Sequence, residues 1–418
     1  MVGIVAPIPR QQGDGRVKIL HVATFAFPDV FGGAERFIHG VARAQAASGH
    51  DVTVLTGDTG GFPAEERLDG FRLRRYPLEP VKGLRFFIAV RTQVARALRQ
   101  LERERFDIIH AHQIASAVPA LNAPLPARRV LSFHAAHRLE FEAERLDGAP
   151  ARGHRSLGLG DRLKSSAIGL LDRQCLQRAE RIVVHTKFVL GQVEAILPSA
   201  RERVRIIPPG LDFTRFSPGD RVAARQRLGL PQDGYLIVSV RRLVRRMGID
   251  ILIRAAGKLA SRGVPFIVAI GGAGTERKAL EALRSGLQLD DNVRFLGRVP
   301  DADLPELLRA ADLVAVPSRS MEGFGISTIE GLASGTPVIA TDSGASPEIL
   351  GPIDRALLVP ADPEALAARL EELLRDAGRR SELGRKGVES VRSRYAWPNI
   401  VASMDDVYRE LVHAHARA

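Results

Sequence analysis

Residues 321–331 read MEGFGISTIEG and follow a short apolar run from Leu313 to Val316. We interpret the run as a strand, the glycines as a turn, and residues 326–333 as the start of a helix that SGTP closes. The backbone N–H groups of residues 323–326 would then stay unpaired, and a helix start with free amides attracts oxyanions. Glu322 and Glu330 flank this position with acceptors. The pattern therefore predicts a binding site for a ligand that combines a phosphate with sugar hydroxyls.

The chain of 418 residues is long for one hydrophobic core and predicts two domains of roughly 200 residues each. Its composition, 45% apolar and 26% charged, is ordinary for a globular protein. We find no apolar run of the ~20 residues that span a bilayer and no signal peptide, and therefore expect a cytoplasmic location. The lone cysteine, Cys175, excludes intramolecular disulfides and thiolate metal clusters.

The net charge of +12 lies mainly in the N-terminal half, where residues 1–210 carry 31 Lys and Arg against 21 Asp and Glu. These basic residues are not interleaved with aromatic residues, and no nucleic-acid-binding motif is visible. We therefore expect no nucleic acid as a partner. The excess favours contact with an anionic membrane surface, or with a phosphorylated or lipid-linked acceptor; a well-solvated, arginine-rich surface is the alternative.

Short apolar strands alternate with amphipathic helices along nearly the whole chain, which indicates parallel sheets covered on both faces. The alternation begins near Val17 and starts afresh near Tyr235, after the segment Pro208-Pro209-Gly210. We predict an α/β chain with two Rossmann-like, doubly wound parallel-sheet domains that face each other across a cleft at the carboxyl ends of their strands. The predicted divisions are a loose leader, 1–15; a first, acceptor-side domain, 16–209; a second, donor domain, 210–396; and a terminal helix that crosses back to the first domain, 397–418.

These features together resemble a GT-B glycosyltransferase of family 4, the retaining class that uses nucleotide-diphosphate sugars such as UDP-sugars. The resemblance covers nearly all of the chain, and MEGFGISTIEG with its continuation GTPVI is its most specific part. It implies that Glu322 contacts hydroxyls of the donor sugar in the catalytic site, and that Glu330 holds the ribose. The backbone N–H groups implied to meet the diphosphate are those of Gly323, Phe324, Gly325 and Ile326.

A second motif, VSVRRLVRRMG at residues 238–248, follows another apolar strand. Family members usually carry Gly-Arg-Leu followed by Lys-Gly here, and the resemblance implies that this Arg and Lys neutralise the diphosphate. Arg242 matches the arginine and is assigned to donor binding and catalysis. The lysine position holds the uncharged Met247, so either Arg242 suffices or a neighbouring arginine supplies the missing charge. The candidates are Arg241, Arg245 and Arg246, of which Arg246 is assigned to the donor site.

In the first domain, FGGAE at residues 31–35 follows the first strand and opens a helix. Glycines let a backbone approach phosphate closely, and the resemblance assigns Gly32 and Gly33 to the diphosphate side of the cleft. His134 ends a later strand, and family members have a histidine at this point that touches the transferring sugar. We therefore place His134 in the catalytic site, where its imidazole would donate a hydrogen bond to the sugar or to the departing phosphate.

The acceptor side of the cleft is assigned to His112, His137 and Arg138. His110 and His112 lie at a strand end and are expected to face opposite sides of the sheet, so no metal pair is predicted there. The segment from Arg138 to Lys164 is rich in charge and glycine and has weak periodicity. We interpret it as a mobile acceptor loop or as a surface insertion.

In the second domain, Gly272 lies in a further strand-to-helix turn. Arg298 and Val299 follow the next strand, where relatives contact the base through backbone groups, and all three residues are assigned to the donor site. Asp301 and Asp303 superficially match a metal-binding Asp-x-Asp pair, but their place before a helix favours N-capping. We therefore predict no metal and no cofactor, and expect arginines and backbone N–H groups to meet the phosphate charge.

The predicted activity is that of a retaining, metal-independent hexosyltransferase that moves a sugar from a nucleotide-diphosphate sugar to an acceptor hydroxyl. The acceptor is expected to be lipid-linked, phosphorylated, or a small polyol or glycoside, and peripheral contact with the cytoplasmic face of a membrane is part of this prediction. There are two alternatives. One is a family member that binds the nucleotide sugar without turnover, which Met247 favours; the other is a sugar-nucleotide epimerase of the same fold.

Overall fold

The computed structural model describes residues 16–30, 32–79, 81, 83–147 and 157–416. The predicted leader, residues 1–15, lies outside this part of the chain. The described residues form two α/β domains, each built on one sheet. Most strands are short apolar runs that are buried on both faces, as parallel strands covered by helices require. None of the described helices combines the length and the hydropathy that a transmembrane segment needs.

The N-terminal domain is an α/β unit in which all neighbouring strands are parallel except β3 and β4. Its strands are β1 (Lys18–Val22), β2 (Asp51–Asp58), β3 (Glu65–Leu68), β4 (Phe71–Pro77), β5 (Ile108–Ala111), β6 (Arg128–Ser132), β7 (Arg181–Val184) and β8 (Val204–Ile206). Its helices are α1 (Gly33–Ala47), α2 (Leu84–Gln100), α3 (Ile114–Leu121), α4 (His137–Asp147), α5 (Leu159–Arg178) and α6 (Lys187–Ile196). The strand order is β3-β4-β2-β1-β5-β6-β7-β8.

The C-terminal domain is built on a second, wholly parallel sheet. Its strands are β9 (Tyr235–Val240), β10 (Phe266–Gly271), β11 (Val293–Gly297), β12 (Leu313–Val316), β13 (Val338–Thr341) and β14 (Leu358–Val359). The remaining helices of the chain are α7 (Arg221–Arg227), α8 (Ile249–Ser261), α9 (Arg277–Gly286), α10 (Leu304–Ala310), α11 (Ile326–Ala333), α12 (Ser346–Leu350), α13 (Pro363–Arg375), α14 (Ala377–Tyr395) and α15 (Trp397–Ala416). The strand order is β11-β10-β9-β12-β13-β14.

The last helix, α15, packs on the N-terminal domain. Its residues Met404 and Tyr408 are buried in the apolar cluster that covers one face of the N-terminal sheet. Trp397, at the start of this helix, lies against two glycines, because a methyl group at either Gly40 or Gly210 would overlap the indole ring. The chain therefore returns to its first domain after α14, and the contact at Trp397 depends on the absence of side chains there.

Two segments differ from the sequence-based expectations. The edge strand β3 is not among the predicted strands, because its sequence, EERL, has the charge of a surface loop and gains its structure from pairing with β4. The interpretation of residues 138–164 as a loop is also wrong for most of the segment, which forms all but the first residue of α4 and the start of α5. Residues 148–156 of this segment lie outside the described part of the chain.

Candidate functional site

The MEGFGISTIEG segment forms a sharp turn that leads into α11. Gly325 is the N-cap residue of the helix, with φ +88°, and Met321 earlier in the turn has φ +55°. The backbone N–H groups of residues 323–327 donate no hydrogen bond to any other described residue. Together with the positive end of the helix dipole, these free donors make the start of α11 chemically suited to an anion.

Glu322 is held inside the turn by three partners. Its Oε2 atom forms an ion pair with Arg241 and accepts a hydrogen bond from Ser318 Oγ at 2.6 Å. Its backbone carbonyl accepts from the N–H of Ala345 at 2.8 Å. Burial raises the pKa of the Glu322 carboxyl, but the charge of Arg241 and the Ser318 hydrogen bond outweigh burial, so the pKa lies below its usual value. Glu322 is therefore a carboxylate that the protein keeps charged and anchored.

Glu330 lies on α11, and its carboxylate is joined to the other domain. Arg36 of α1 donates to Glu330 Oε1 at 3.1 Å and also pairs with Asp301. Arg215 binds the second oxygen of Asp301 at 2.7 Å. Burial raises the pKa of Glu330 to about 7, and the charge of Arg36 opposes this rise. Sequence reasoning missed Arg36 and Arg215, because neither belongs to a motif and their partners lie far away along the chain.

Arg36 and Glu330 line a cavity of about 130 Å³ between the domains. Apolar walls come from Phe37 and Trp397, and Asp212 and Arg215 contribute charges from the start of the second domain. The cleft therefore continues from the start of α11 toward the domain boundary.

The starts of α1 and α11 face each other across the cleft. A methyl group built on Gly33 would lie 3.4 Å from Ile326 Cδ1. The carbonyl of Gly323 accepts a hydrogen bond from Thr186 Oγ1 at 3.0 Å. The backbone of His134 also lies close, because a methyl group built on Gly323 would be 3.3 Å from the His134 carbonyl oxygen. The structure therefore brings these predicted site residues of both domains into contact around the turn.

Arg242 is exposed at the mouth of the cleft, near Glu35 of the facing domain. Burial raises the pKa of the Glu35 carboxyl, and a hydrogen bond from Gln113 and the charge of Arg242 oppose that rise. A methyl group on Gly32, the N-cap residue of α1, would overlap the Glu35 carboxylate, so a side chain there would require that carboxylate to move. Arg242 thus lies near Glu35 in the first turn of α1 and near Arg246 of its own motif.

Arg246 is buried beside the turn. It donates to the carbonyl oxygen of Met321 at 3.2 Å and pairs with Glu140 of α4 at 3.5 Å, across the cleft. Burial and the neighbouring charges of Arg242 and Arg241 lower the pKa of Arg246. Three arginines of the second motif therefore lie close together at the edge of the free amides, and it is Arg241, not Arg242, that contacts Glu322.

His134 follows β6 and belongs to a pair of linked histidines. His185 Nδ1 lies 2.9 Å from the carbonyl oxygen of Ile207, which can only accept, so this nitrogen carries the proton. His185 Nε2 then accepts from His134 Nδ1 at 3.0 Å. Burial and the neighbouring His185 hold the pKa of His134 well below its usual value. Neutral His134 therefore offers Nε2 as an acceptor and not as the donor expected from the sequence. This nitrogen has no partner among the described residues.

His110 and His112 lie on the same side of the sheet, and the expectation of opposite sides is wrong, because residues two apart in a strand share a face. Their rings stack with centroids 4.6 Å apart. His112 is 0% exposed and its Nε2 bonds to His21 Nδ1 at 3.0 Å, so it cannot line an acceptor pocket in this structure. The three histidines are near enough to hold a metal ion, but the nitrogens of His110 already bond to Tyr408 and Ser132.

His137 and Arg138 begin α4. His137 Nδ1 lies 3.1 Å from Asp172 Oδ1, and its Nε2 accepts from the N–H of Ile114, at the start of α3, at 3.4 Å. Arg138 is exposed and pairs with Glu142 of the same helix. These contacts anchor α4 at the side of the cleft, and the assignment of both residues to acceptor binding stays a prediction.

The carboxyl ends of β9, β10 and β11 meet at Gly272. Its φ is +135°, its N–H donates to the Gly297 carbonyl at 2.6 Å, and a methyl group there would overlap the carbonyl oxygen of Arg241. Only glycine fits this position. Val299 is half-buried and Arg298 is exposed at the same edge of the sheet, so the residues assigned to base recognition lie beside the second motif.

Asp301 and Asp303 do not act as the expected N-cap pair. Asp303 precedes α10 but makes no side-chain capping bond. Asp301 instead binds Arg36 and Arg215, because two guanidinium groups converge on its carboxylate from both domains. N-capping is therefore the wrong explanation for Asp301, which joins the network around Glu330.

Comparisons with known proteins place the chain among glycosyltransferases. Residues 220–390 match the family described as glycosyl transferases group 1, and residues 31–215 match glycosyltransferase family 4. The D-inositol 3-phosphate glycosyltransferase of Salinispora tropica is 34% identical over 414 residues, which cover 92% of this chain and 82% of that protein. The enzyme of the same name from Acidothermus cellulolyticus is 32% identical over 403 residues, covering 91% and 86%.

Solved structures share the fold. Sucrose-phosphate synthase from Thermosynechococcus elongatus superposes with a TM-score of 0.82 at 24% identity, covering 96% of this chain and all of that one. Anabaena HepE, solved in complex with UDP and glucose, gives a TM-score of 0.73 at 20% identity, covering 94% of this chain and all of HepE.

Proposed function

The chain belongs to the GT-B glycosyltransferases of family 4, and we propose that it moves a sugar from a nucleotide-diphosphate sugar to an acceptor hydroxyl with retention of the anomeric configuration. One observation carries the proposal. The N–H groups of residues 323–327, which donate to no described residue, lie where the turn contacts the first domain, beside three arginines. This arrangement suits a diphosphate, since both the amides and the cations can meet its charge without a metal ion.

The proposed transfer breaks the bond between the anomeric carbon and the diphosphate and forms a bond from that carbon to the acceptor oxygen. The acceptor's proton goes to the departing phosphate oxygen. Departure and attack on the same face are favoured because Glu322 is anchored by Arg241 and Ser318, and Glu330 by Arg36. Neither carboxylate at the turn is thus placed as a nucleophile for a double displacement, and catalysis rests on positioning and on charge stabilisation.

Under this proposal Glu330 holds the ribose and His134 accepts a hydrogen bond from a hydroxyl of the donor sugar through its unpartnered Nε2 atom. We propose a UDP-sugar as the donor, because a solved structure of the same fold holds UDP and glucose. A phosphorylated polyol is the proposed acceptor, because the relatives at 32–34% identity are named D-inositol 3-phosphate glycosyltransferases.

The test is turnover of purified protein with UDP-, GDP- and ADP-sugars, with inositol 3-phosphate and free inositol as matched acceptors. We expect nucleotide release that depends on the phosphorylated acceptor, continues in EDTA, and yields a product whose anomeric configuration by NMR equals that of the donor. Binding of a donor without release across acceptors would instead support the non-catalytic alternative. Appearance of an epimeric nucleotide sugar without acceptor would support the epimerase, and an inverted product would refute retention.

A cytoplasmic location with contact to an anionic membrane surface completes the proposal. Its support is the basic excess of residues 1–210 together with exposed Leu159, Leu163 and Leu170 on α5. These leucines lie at helical spacing beside Arg162 and Arg173, an arrangement typical of helices that bind anionic lipid. We expect co-sedimentation with phosphatidylserine vesicles that high salt reverses, and no binding to phosphatidylcholine vesicles; equal binding to both would contradict the electrostatic argument.

A further inference from the structure

Arg241 and Met247 are the two positions at which the second motif departs from the Gly-Arg-Leu and Lys-Gly pattern. The lysine position holds Met247, which is buried and uncharged, and the glycine position holds Arg241. Arg241 follows β9 directly, and its Nη2 atom lies 3.1 Å from Met247 Sδ. The two departures are therefore in contact: a guanidinium lies against the side chain at which the motif would place an ammonium group.

The Arg241 guanidinium is buried with part of its hydrogen-bonding capacity unused. The side chain is 4% exposed, and Nη2 pairs with Glu322, the residue that directly precedes the free amides at the start of α11. The Nε and Nη1 atoms of Arg241 are buried and have no partner among the described residues. A buried charged donor without an acceptor is destabilising, so these two nitrogens call for an anionic partner that the described side chains do not supply.

A second arginine beside Arg241 also has an unused donor. Glu322 and Glu140 pair with Arg241 and Arg246, and Glu35 lies near Arg242. The Nε atom of Arg246 is nevertheless buried without a partner among the described residues, as are two nitrogens of Arg241. Two neighbouring guanidinium groups therefore have donors that an anion could meet.

We propose that Arg241 binds the diphosphate of the donor and so replaces the cation that is missing at position 247. The guanidinium would hold Glu322 through Nη2 and meet phosphate oxygens with the nitrogens that are unpaired in this structure. This inference rests on the proposed function, since it assigns a residue to the donor site of the same reaction. It also identifies the uncharged Met247 as one half of a compensated pair, which removes the reason for regarding this chain as a binder without turnover.

The test first measures by calorimetry which of UDP, GDP and ADP binds to the wild-type protein. The nucleoside diphosphate and the nucleoside monophosphate of that base are then titrated into the wild type and the variants. We expect Arg241→Met to weaken binding of the diphosphate by about 10- to 100-fold, because one or two charge-assisted hydrogen bonds are lost. Binding of the monophosphate should weaken by less than about threefold. Arg241→Lys keeps the charge and should lie in between. The double variant Arg241→Gly with Met247→Lys should recover most of the diphosphate affinity, because it restores a cation at position 247.

Arg254→Met is the matched control, because Arg254 is exposed on α8 and makes no contribution to the turn; it should bind like the wild type. Two results would show that Arg241 acts only by supporting Glu322. One is that Arg241→Met weakens binding of the monophosphate and of the diphosphate equally. The other is that the double variant folds but binds the diphosphate no better than Arg241→Met does. Should Arg241→Met not fold, the comparison of Arg241→Lys with the double variant decides. Absence of any nucleotide binding by the wild type would refute the proposed function itself, whereas unchanged binding by the variants would refute this inference alone.

Discussion

Donor affinity should depend on pH through one carboxyl group, that of Glu330. Burial raises its pKa to about 7, although Arg36 donates to it at 3.1 Å. A carboxylate accepts hydrogen bonds from ribose hydroxyls better than a carboxylic acid does. Since the proposed role requires the charged form, affinity for the nucleotide sugar should be highest above pH 7 and should fall as the pH drops through 7.

The size of this effect follows from the pKa. A group with a pKa of about 7 is ionised in about nine molecules of ten at pH 8 and in about one of ten at pH 6. The apparent Kd of the nucleotide sugar should therefore rise about tenfold between pH 8 and pH 6, equivalent to about 1.4 kcal/mol. Glu330→Gln removes the titrating group, so the variant should bind more weakly at pH 8 than the wild type and show a flat profile.

Calorimetric titration with an intact nucleotide sugar is the appropriate assay, because its diphosphate is esterified at both ends and has no ionisation near pH 7. Glu372→Gln, an exposed change on α13, is the matched control and should keep the wild-type profile. A wild-type Kd that is constant from pH 6 to pH 8 would refute the reasoning. So would a Glu330→Gln variant that retains the full pH dependence, since another group would then be responsible.

Three further outcomes are expected from the structure. Burial lowers the pKa of both His21 and His185 to about 4, so the stability that each neutral imidazole contributes is full above pH 6.5 and is lost toward pH 4. Replacing either histidine by Asn should therefore reduce the slope of the unfolding free energy against pH by about 1.4 kcal/mol per pH unit. Urea unfolding between pH 6 and pH 4.5 measures this slope. Glu348 of the second domain accepts hydrogen bonds from the first two N–H groups of α6, in the first domain, at 2.8 and 2.9 Å. Glu348→Gln should therefore destabilise the closed arrangement of the two domains by about 1 kcal/mol. X-ray scattering should then show a larger radius of gyration. Gly248 has φ +66° and a methyl group there would overlap the Pro317 carbonyl oxygen, so Gly248→Ala should cost more than about 3 kcal/mol in the same urea assay, and wild-type stability would contradict the close approach.

Local elements were predictable where neighbouring residues determine them. The strand Leu313–Val316 and the helix Ile326–Ala333 have the predicted bounds, because a short apolar run, a glycine turn and a helix start depend on residues close in sequence. The two-domain GT-B organisation was predictable for the same reason, since alternating strands and helices leave few ways to form a parallel sheet. The edge strand β3 was not predictable, because it is a strand through its pairing with β4 and not through its own composition.

The site shows the same division. The sequence alone determined that free amides would emerge after Glu322 and that arginines would follow β9, because both are properties of a few consecutive residues. Only the tertiary structure decided that Arg241 approaches Glu322, that His185 sets the protonated nitrogen of His134, and that Arg36 reaches Glu330. The last pair lies 294 residues apart along the chain. Such contacts depend on how two separately built sheets are docked, and no local pattern of residues encodes that arrangement.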